Sequence, residues 1–376
     1  MSSAPPVPDL QEIPADTACL ADYERHAQAR LDPAHWAYLQ GGAADEHTIA
    51  ANLQAWRELT LHPRVLRRLA DGHTRTALFD RPMAHPILLA PVAYQQLAHP
   101  DGEIGVAYAA AAQEAGLVLS TQSSTPLEDV ADAIVGDADR GPLWMQLYLQ
   151  HDRGFTRELV MRAVAAGYEA IVLTVDAPTS GARDRERRAQ FSLPSGISAV
   201  NLRHLPARPE RPLAVGQSAL FNDLLHDAPS WDDIEWLRAQ TRLPIVLKGV
   251  LHEDDARQAA SLGVKGLIVS NHGGRTLDTA VATATALPRV VEAAGPDVAV
   301  LVDGGIRRGT DVLKAIALGA RAVLIGRPYV HALATAGALG VAHCIRLLRD
   351  ELEIAMALSG CATLADITPE VLYRPR

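Results

Sequence analysis

The sequence predicts one α/β domain built as a (β/α)8 TIM barrel, with a short helical segment before it and a long loop after its fourth strand. Three observations carry this prediction. Eight short apolar runs alternate with Ala-rich segments of helical period. The runs are continuously hydrophobic, as strands covered on both faces are, where a half-exposed strand would alternate. A polar or ionisable residue follows nearly every run, and always at the same end.

In chain order the runs are Pro86–Ala90, Leu117–Ser120, Leu143–Leu147, Ala170–Val175, Pro244–Leu247, Gly266–Ser270, Val298–Val302 and Ala322–Gly326. Helical patterns at Glu103–Ala115, Thr156–Ala166, Asp254–Leu262 and Asp311–Leu318 lie between them. Gly116, Gly167, Gly263 and Gly319 follow these patterns and read as helix stops, since glycine enters the left-handed region without a Cβ penalty. Successive strand starts are close together except between Ala170 and Pro244. The excess, about residues 177–230, is rich in Pro, Arg and Ser and reads as a loop excursion over the barrel mouth. Before the barrel, residues 16–57 read as two or three short helices carrying His35-Trp36-Ala37-Tyr38 and the turn Gly41-Gly42. Residues 1–15 read as a disordered lead, leaving 16–376 as a single domain.

Composition narrows the function. Of 376 residues, 48% are hydrophobic and 21% charged, which suits a globular chain with a large core. The net charge of −9 provides no field to draw in nucleic acid or an anionic membrane, so neither is an expected partner. Cys19, Cys344 and Cys361 have neither metal-site spacing nor an evident disulfide pattern, so no metal is expected and a reducing cytoplasm is. No signal peptide or unbroken membrane-length apolar stretch is read, and Arg374-Pro375-Arg376 does not resemble a peroxisomal tripeptide.

Active sites of such barrels lie at the C-terminal ends of the strands, so the residues after each run are the candidates. They are Pro91-Val92-Ala93, Ser120, Gln146 with Tyr148, Thr174 with Asp176, Lys248, Ser270 with His272, Asp303 and Gly326-Arg327. The densest string is Ser270-Asn271-His272-Gly273-Gly274-Arg275. Its Arg offers a fork for a carboxylate, and its His can accept a proton near neutral pH. Alone, His-Gly-Gly-Arg would read as a solvated glycine turn; directly after a barrel strand it reads as a site. Asp303-Gly304-Gly305-Ile306-Arg307 and Gly326-Arg327 follow the seventh and eighth runs, where barrels often bind phosphate through backbone amides and cations. No Gly-x-Gly-x-x-Gly fingerprint follows the first run, so a nicotinamide dinucleotide fold is rejected.

The string Ser270 to Asp278 resembles the signature of the FMN-dependent 2-hydroxy acid oxidase and dehydrogenase family, which includes glycolate, lactate and mandelate-oxidising enzymes. The resemblance continues through Ala90–Ala93, Leu97–Pro100, Gln146–Tyr148, Leu173–Asp176, Leu247–Gly249, Asp303–Thr310, Ile325–Pro328 and Ala357–Cys361, in family order. It implies FMN as cofactor, a small 2-hydroxy acid and O2 as partners, and a homo-oligomer (tetramer or octamer). It further implies His272 as catalytic base, Asp176 as the acid paired with it, and Tyr148 orienting the substrate hydroxyl. Tyr38 and Arg275 would bind the substrate carboxylate, with Arg183 a second arginine nearby and Lys248 at the flavin N1–C2 edge. The implied flavin site is completed by Pro91, Val92, Ala93, Ser120, Gln146, Thr174, Ser270, Asp303, Gly304, Gly305, Arg307, Gly326 and Arg327.

Two departures bear on the substrate. Gln122 stands where plant-type glycolate oxidases carry an aromatic, and Ser180–Arg185 resembles lactate oxidases more closely. The expected activity is oxidation of a lactate-like L-2-hydroxy acid to the 2-oxo acid, with O2 reduced to H2O2. A same-family dehydrogenase, a lactate 2-monooxygenase, a mandelate-type oxidase and a non-catalytic barrel stand as alternatives.

Overall fold

The computed structural model describes residues 10–373 except 210. Eight parallel strands close a barrel: β3 (Ile87–Leu89), β4 (Gly116–Leu119), β5 (Leu143–Leu147), β6 (Ala170–Thr174), β7 (Ile245–Val250), β8 (Gly266–Val269), β9 (Ala299–Val302) and β10 (Ala322–Ile325). Their order around the ring is their order in the chain, and β10 closes on β3 through Val323↔Ile87 to Ile325↔Leu89. Every predicted run is therefore a barrel strand, and the ends move by a few residues at most. Burial explains why these runs were readable. Strands β3 to β6 and β10 have no residue that escapes burial, so both faces demand apolar side chains.

A small separate hairpin lies outside the runs read from the sequence. Strands β1 (Thr76–Leu78) and β2 (Arg81–Met83) pair antiparallel around Phe79-Asp80. Leu78, Met83 and Phe79 enter the N-terminal end of the barrel and pack with Leu88, Val118, Trp144, Val172, Val246, Ile268, Leu301 and Leu324. This cluster fills the barrel interior from below, so the interior can open only at the opposite end. Gly266 makes room for it, since a Cβ there would lie 3.0 Å from the Phe79 ring.

Gly167, Gly263 and Gly319 adopt φ of +89°, +73° and +100° just past their helices, as expected of helix stops. Gly116 does not: its helix ends earlier, at Ala112, and Gly116 opens β4. A Cβ there would lie 2.5 Å from the Leu88 side chain, so strand packing is what excludes a larger residue. The N-terminal segment forms three helices, Leu20–Arg30, Pro33–Gln40 and His47–Glu58. The excursion after β6 is more ordered than its composition suggested, with helices Asp184–Arg188 and Ala219–Asn222 and two 3-10 turns. Much of the expected lead, and the C-terminal tripeptide, lie outside the described residues; within the described part of the lead, Ile13 packs against the core. One helix among the described residues, Arg327–Ser359, is long and apolar enough to cross a membrane, but 72% of its apolar window is buried inside the protein. It is broken at Ala336 and Gly337, where the backbone leaves helical geometry.

Candidate active site

At the C-terminal end of the barrel lies a cavity of about 380 Å³. Every sequence-predicted site residue lines it except Asp176 and Ser270, which stand behind the wall. Ser270 is fully buried and bridges two of the others, accepting from Lys248 Nζ at 2.9 Å and from the His272 amide at 3.1 Å.

The turn after β8 holds its His under strain. His272 has φ +57°, and Gly273 and Gly274 follow at +62° and +75°. A non-glycine residue in that region costs roughly 1–3 kcal/mol and persists only where its surroundings enforce it. Here the enforcement is a reciprocal amide pair. Asn52 and Asn271 each donate Nδ2 to the other's Oδ1 at 2.8 Å, and Asn271 Oδ1 also accepts from the Gly274 amide at 3.2 Å. Both asparagines are 2% exposed. Neither was singled out from the sequence, and only folding brings Asn52, on the helix His47–Glu58, to the β8 turn.

His272 Nδ1 lies 2.9 Å from Asp176 Oδ1. A carboxylate only accepts, so Nδ1 carries the proton and Nε2 presents its lone pair. Burial pulls the imidazole below its ordinary pKa, against the opposing pull of Asp176, so the ring is neutral at neutral pH. Burial acts to raise the Asp176 pKa, but the bond from His272 and the charge of Lys248 outweigh it and hold the group below the usual carboxylate range. Gly249, at φ +111° in the β7–β8 bulge, makes this approach possible: a Cβ there would sit 2.4 Å from that of Asp176.

Lys248 is 4% exposed, with Asp303 Oδ2 at 3.3 Å. Burial disfavours its charge, yet Asp303 and Asp176 prevail and keep its pKa above the ordinary value. Tyr148 is pushed up to about 12 by burial and remains a donor, and burial raises Tyr38 as well. Arg275 gives Nη1 to the carbonyls of Tyr38 and Gly41, both at 2.7 Å, and Nη2 to Glu186 at 3.2 Å. Its guanidinium also lies 5.1 Å from the centre of the Tyr38 ring. Its Nε and second Nη2 hydrogen have no partner among the described residues, which leaves one edge of the fork for a ligand. Glu186, which sequence reasoning passed over inside an Arg-rich string, accepts from Arg183 too, at 3.1 Å.

The other end of the cavity suits a phosphate. Arg307 and Arg327 are half-buried with few carboxylates near them, and desolvation with the neighbouring charges of Arg275 and Arg307 pulls Arg327 down to about 9. Such a surplus of partly desolvated positive charge favours an anion. Gly304 and Gly305 stand at φ +88° and +85°, and a Cβ on Gly305 would lie 2.6 Å from the Asn52 carbonyl. Between the two ends runs a polar ladder. Gln146 Nε2 donates to Thr174 at 3.1 Å, and its Oε1 accepts from the Thr121 amide at 3.0 Å and the Ser120 hydroxyl at 3.4 Å. Arginines at one end, a flat polar row and a buried lysine together fit the phosphate and ring edge of FMN.

Comparison with known proteins agrees with this geometry. The sequence profile of FMN-dependent dehydrogenases matches residues 27–374. The L-lactate oxidase of Roseobacter sp. (strain GAI101) is 48% identical over 97% of this chain and 97% of its own length. The 2-hydroxyacid oxidase 1 of Homo sapiens is 42% identical over 91% of this chain and 93% of its own. Among solved structures, mandelate oxidase with (S)-2-phenylpropionate superposes with a TM-score of 0.83 at 42% identity, covering 94% of this chain and 97% of that one. The chain belongs to the FMN-dependent dehydrogenase family.

Proposed function

We propose that this enzyme oxidises a short L-2-hydroxy acid of the lactate type to the 2-oxo acid and passes the electrons to O2, giving H2O2. One observation carries the reading: His272, its Nδ1 fixed by Asp176, shares a cavity with the open edge of Arg275 and with Tyr38 and Tyr148. L-Lactate oxidases and 2-hydroxyacid oxidases among the relatives support it.

Arg275 and Tyr38 hold the substrate carboxylate, and desolvation in the buried site strengthens that contact. Tyr148, protonated throughout, donates to the substrate hydroxyl. His272 Nε2 takes a proton from the substrate, and Asp176 stabilises the imidazolium that results. Bound FMN supplies the two-electron acceptor, in a site where Lys248 provides a fixed positive charge. The acid gives up two electrons and two protons, which match those O2 needs to become H2O2.

A mandelate-type substrate is the second reading, favoured by Gln122. Its side chain lines the cavity with no hydrogen-bond partner among the described residues, at the position where the resemblance places an aromatic in plant-type glycolate oxidases. On the family resemblance we also propose a homo-oligomer, and on the scattered cysteines a reducing, cytoplasmic location. The test is a panel of both enantiomers of lactate, glycolate and mandelate, with anaerobic flavin bleaching, O2 uptake, peroxide and oxo acid all measured. Bleaching by L-acids with stoichiometric peroxide is expected. Activity with D-acids alone would sink the stereochemical assignment, slow reoxidation by O2 would make the protein a dehydrogenase, and a decarboxylated product a monooxygenase.

A further inference from the structure

Two guanidiniums and one protein carboxylate meet at the substrate end of the cavity. A single oxygen, Oε1 of Glu186, accepts from Arg183 Nη1 at 3.1 Å and from Arg275 Nη2 at 3.2 Å. Glu186 is the sole side-chain partner of Arg183 among the described residues, and Arg183 Nε is buried with no acceptor. The Glu186 side chain is 16% exposed and lines the same cavity as His272.

Its helix, Asp184–Arg188, is held in place from outside. Arg185 pairs with Glu46, and the Ala44 amide donates to the Ala182 carbonyl at 2.6 Å. Gly181 packs so tightly on the strand-end turn that a Cβ would sit 2.3 Å from the Thr276 carbonyl oxygen. Glu186 is therefore a fixed wall of the site.

The charge balance has a consequence for the ligand. Arg183 and Arg275 contribute two positive charges and Glu186 removes one, so the group offers a net single charge. One ligand carboxylate neutralises it. A second carboxylate on the same ligand would meet a group whose net charge is already neutralised, and the Glu186 carboxylate in the same wall would repel it. Lys248 offers no relief, because it is engaged with Asp303 and Ser270.

We propose that Glu186 is a specificity-determining residue that restricts this enzyme to monocarboxylic 2-hydroxy acids by occupying the Arg183 side of the guanidinium pair. The inference rests on the 2-hydroxy acid reading of the same site. Replacing the carboxylate by an isosteric amide keeps the shape of the wall and frees one cation for a second carboxylate.

The test uses the flavin-loaded protein in two arms. In the first, calorimetry measures binding of propionate and succinate, neither of which can be oxidised at C2 as a hydroxy acid. Wild type should bind propionate more tightly by ~10-fold or more, and Glu186→Gln should shift that ratio toward succinate by ~10-fold or more. In the second, the kcat/KM ratio of L-malate to L-lactate should rise by a similar factor in Glu186→Gln. Glu186→Asp, which keeps the charge, should keep the discrimination, and Arg183→Met/Glu186→Gln should abolish the gain. Equal binding of the two acids by wild type, or an unchanged ratio in Glu186→Gln, would overturn the proposal. Should Glu186→Gln fail to fold, the wild-type ratio and Glu186→Asp still decide it. A wild type that shows the binding preference but oxidises no 2-hydroxy acid would defeat the proposed activity and leave the charge argument standing.

Discussion

The two ends of the barrel each contain non-glycine residues in the left-handed region, and they hold them by opposite means. At the floor, Phe79 and Asp80 form the two-residue turn between β1 and β2 with φ of +50° and +63°. That geometry suits the twist of a hairpin, and Asn-Gly would adopt it more easily. Apolar burial holds it instead: the Phe79 ring lies 5.4 Å from that of Trp144, above Gly266. At the mouth, His272 is held by hydrogen bonds, through the Asn52–Asn271 pair and Asp176. The floor has no polar task and can relax its strain by packing. The mouth must keep Nε2, the Arg275 edge and two tyrosine hydroxyls available, so its order has to come from residues one layer behind. Strain at the floor serves stability, and strain at the mouth serves the aim of a lone pair.

Substitutions can break this contrast. The largest effect is expected from His272→Ala, which should leave FMN bound and slow flavin reduction by ~10²–10⁴-fold. Stopped-flow reduction within a few-fold of wild type would remove His272 from the chemistry. Next is Trp144→Ala at the floor, which should cost about 3–5 kcal/mol of stability in denaturant titration. Its kcat per flavin-loaded molecule should stay near that of wild type; a large fall would mean that floor and mouth are coupled.

Asp176→Asn sharpens the account of the mouth. The carboxylate raises the His272 pKa against burial, so its loss should lower that pKa further. The acid limb of kcat/KM in wild type should lie below the ordinary imidazole value, because the base must be neutral to act. In Asp176→Asn the limb should move to still lower pH while the plateau rate falls. A limb that moves upward would contradict the assigned pairing. Smallest is Asp80→Gly, which relieves a left-handed backbone in the floor turn and should stabilise by less than ~1 kcal/mol. A loss of stability on thermal unfolding would show that the Asp80 side chain contributes something the hairpin geometry does not reveal.

Much of this was readable in advance, for reasons that differ by element. The barrel strands are short, yet both faces are buried, so each left an apolar run that needed no periodicity. The mouth was readable because strand ends in this architecture point at the ligand, which turned Lys248, Asp303 and the His272–Arg275 string into candidates. The floor hairpin was not. With three residues per strand and Arg81-Pro82-Met83 as one of them, it has too little length to carry a pattern. Gly116 was misread because a glycine after a helical segment looks the same whether it ends that helix or opens the next strand.

By itself the sequence determined the barrel, the end at which the candidate site lies and the residue types gathered there, because burial and strand-end position write themselves into local composition. Only the tertiary structure decided which of those groups are free and which are engaged. The Asn52–Asn271 pair, the Ser270 bridge and the sharing of Glu186 between Arg183 and Arg275 join residues from separate elements. Hydrogen bonds of that kind depend on ångström-scale placement after the chain has closed. Composition specifies that a carboxylate is present; the closed barrel decides which cation it neutralises.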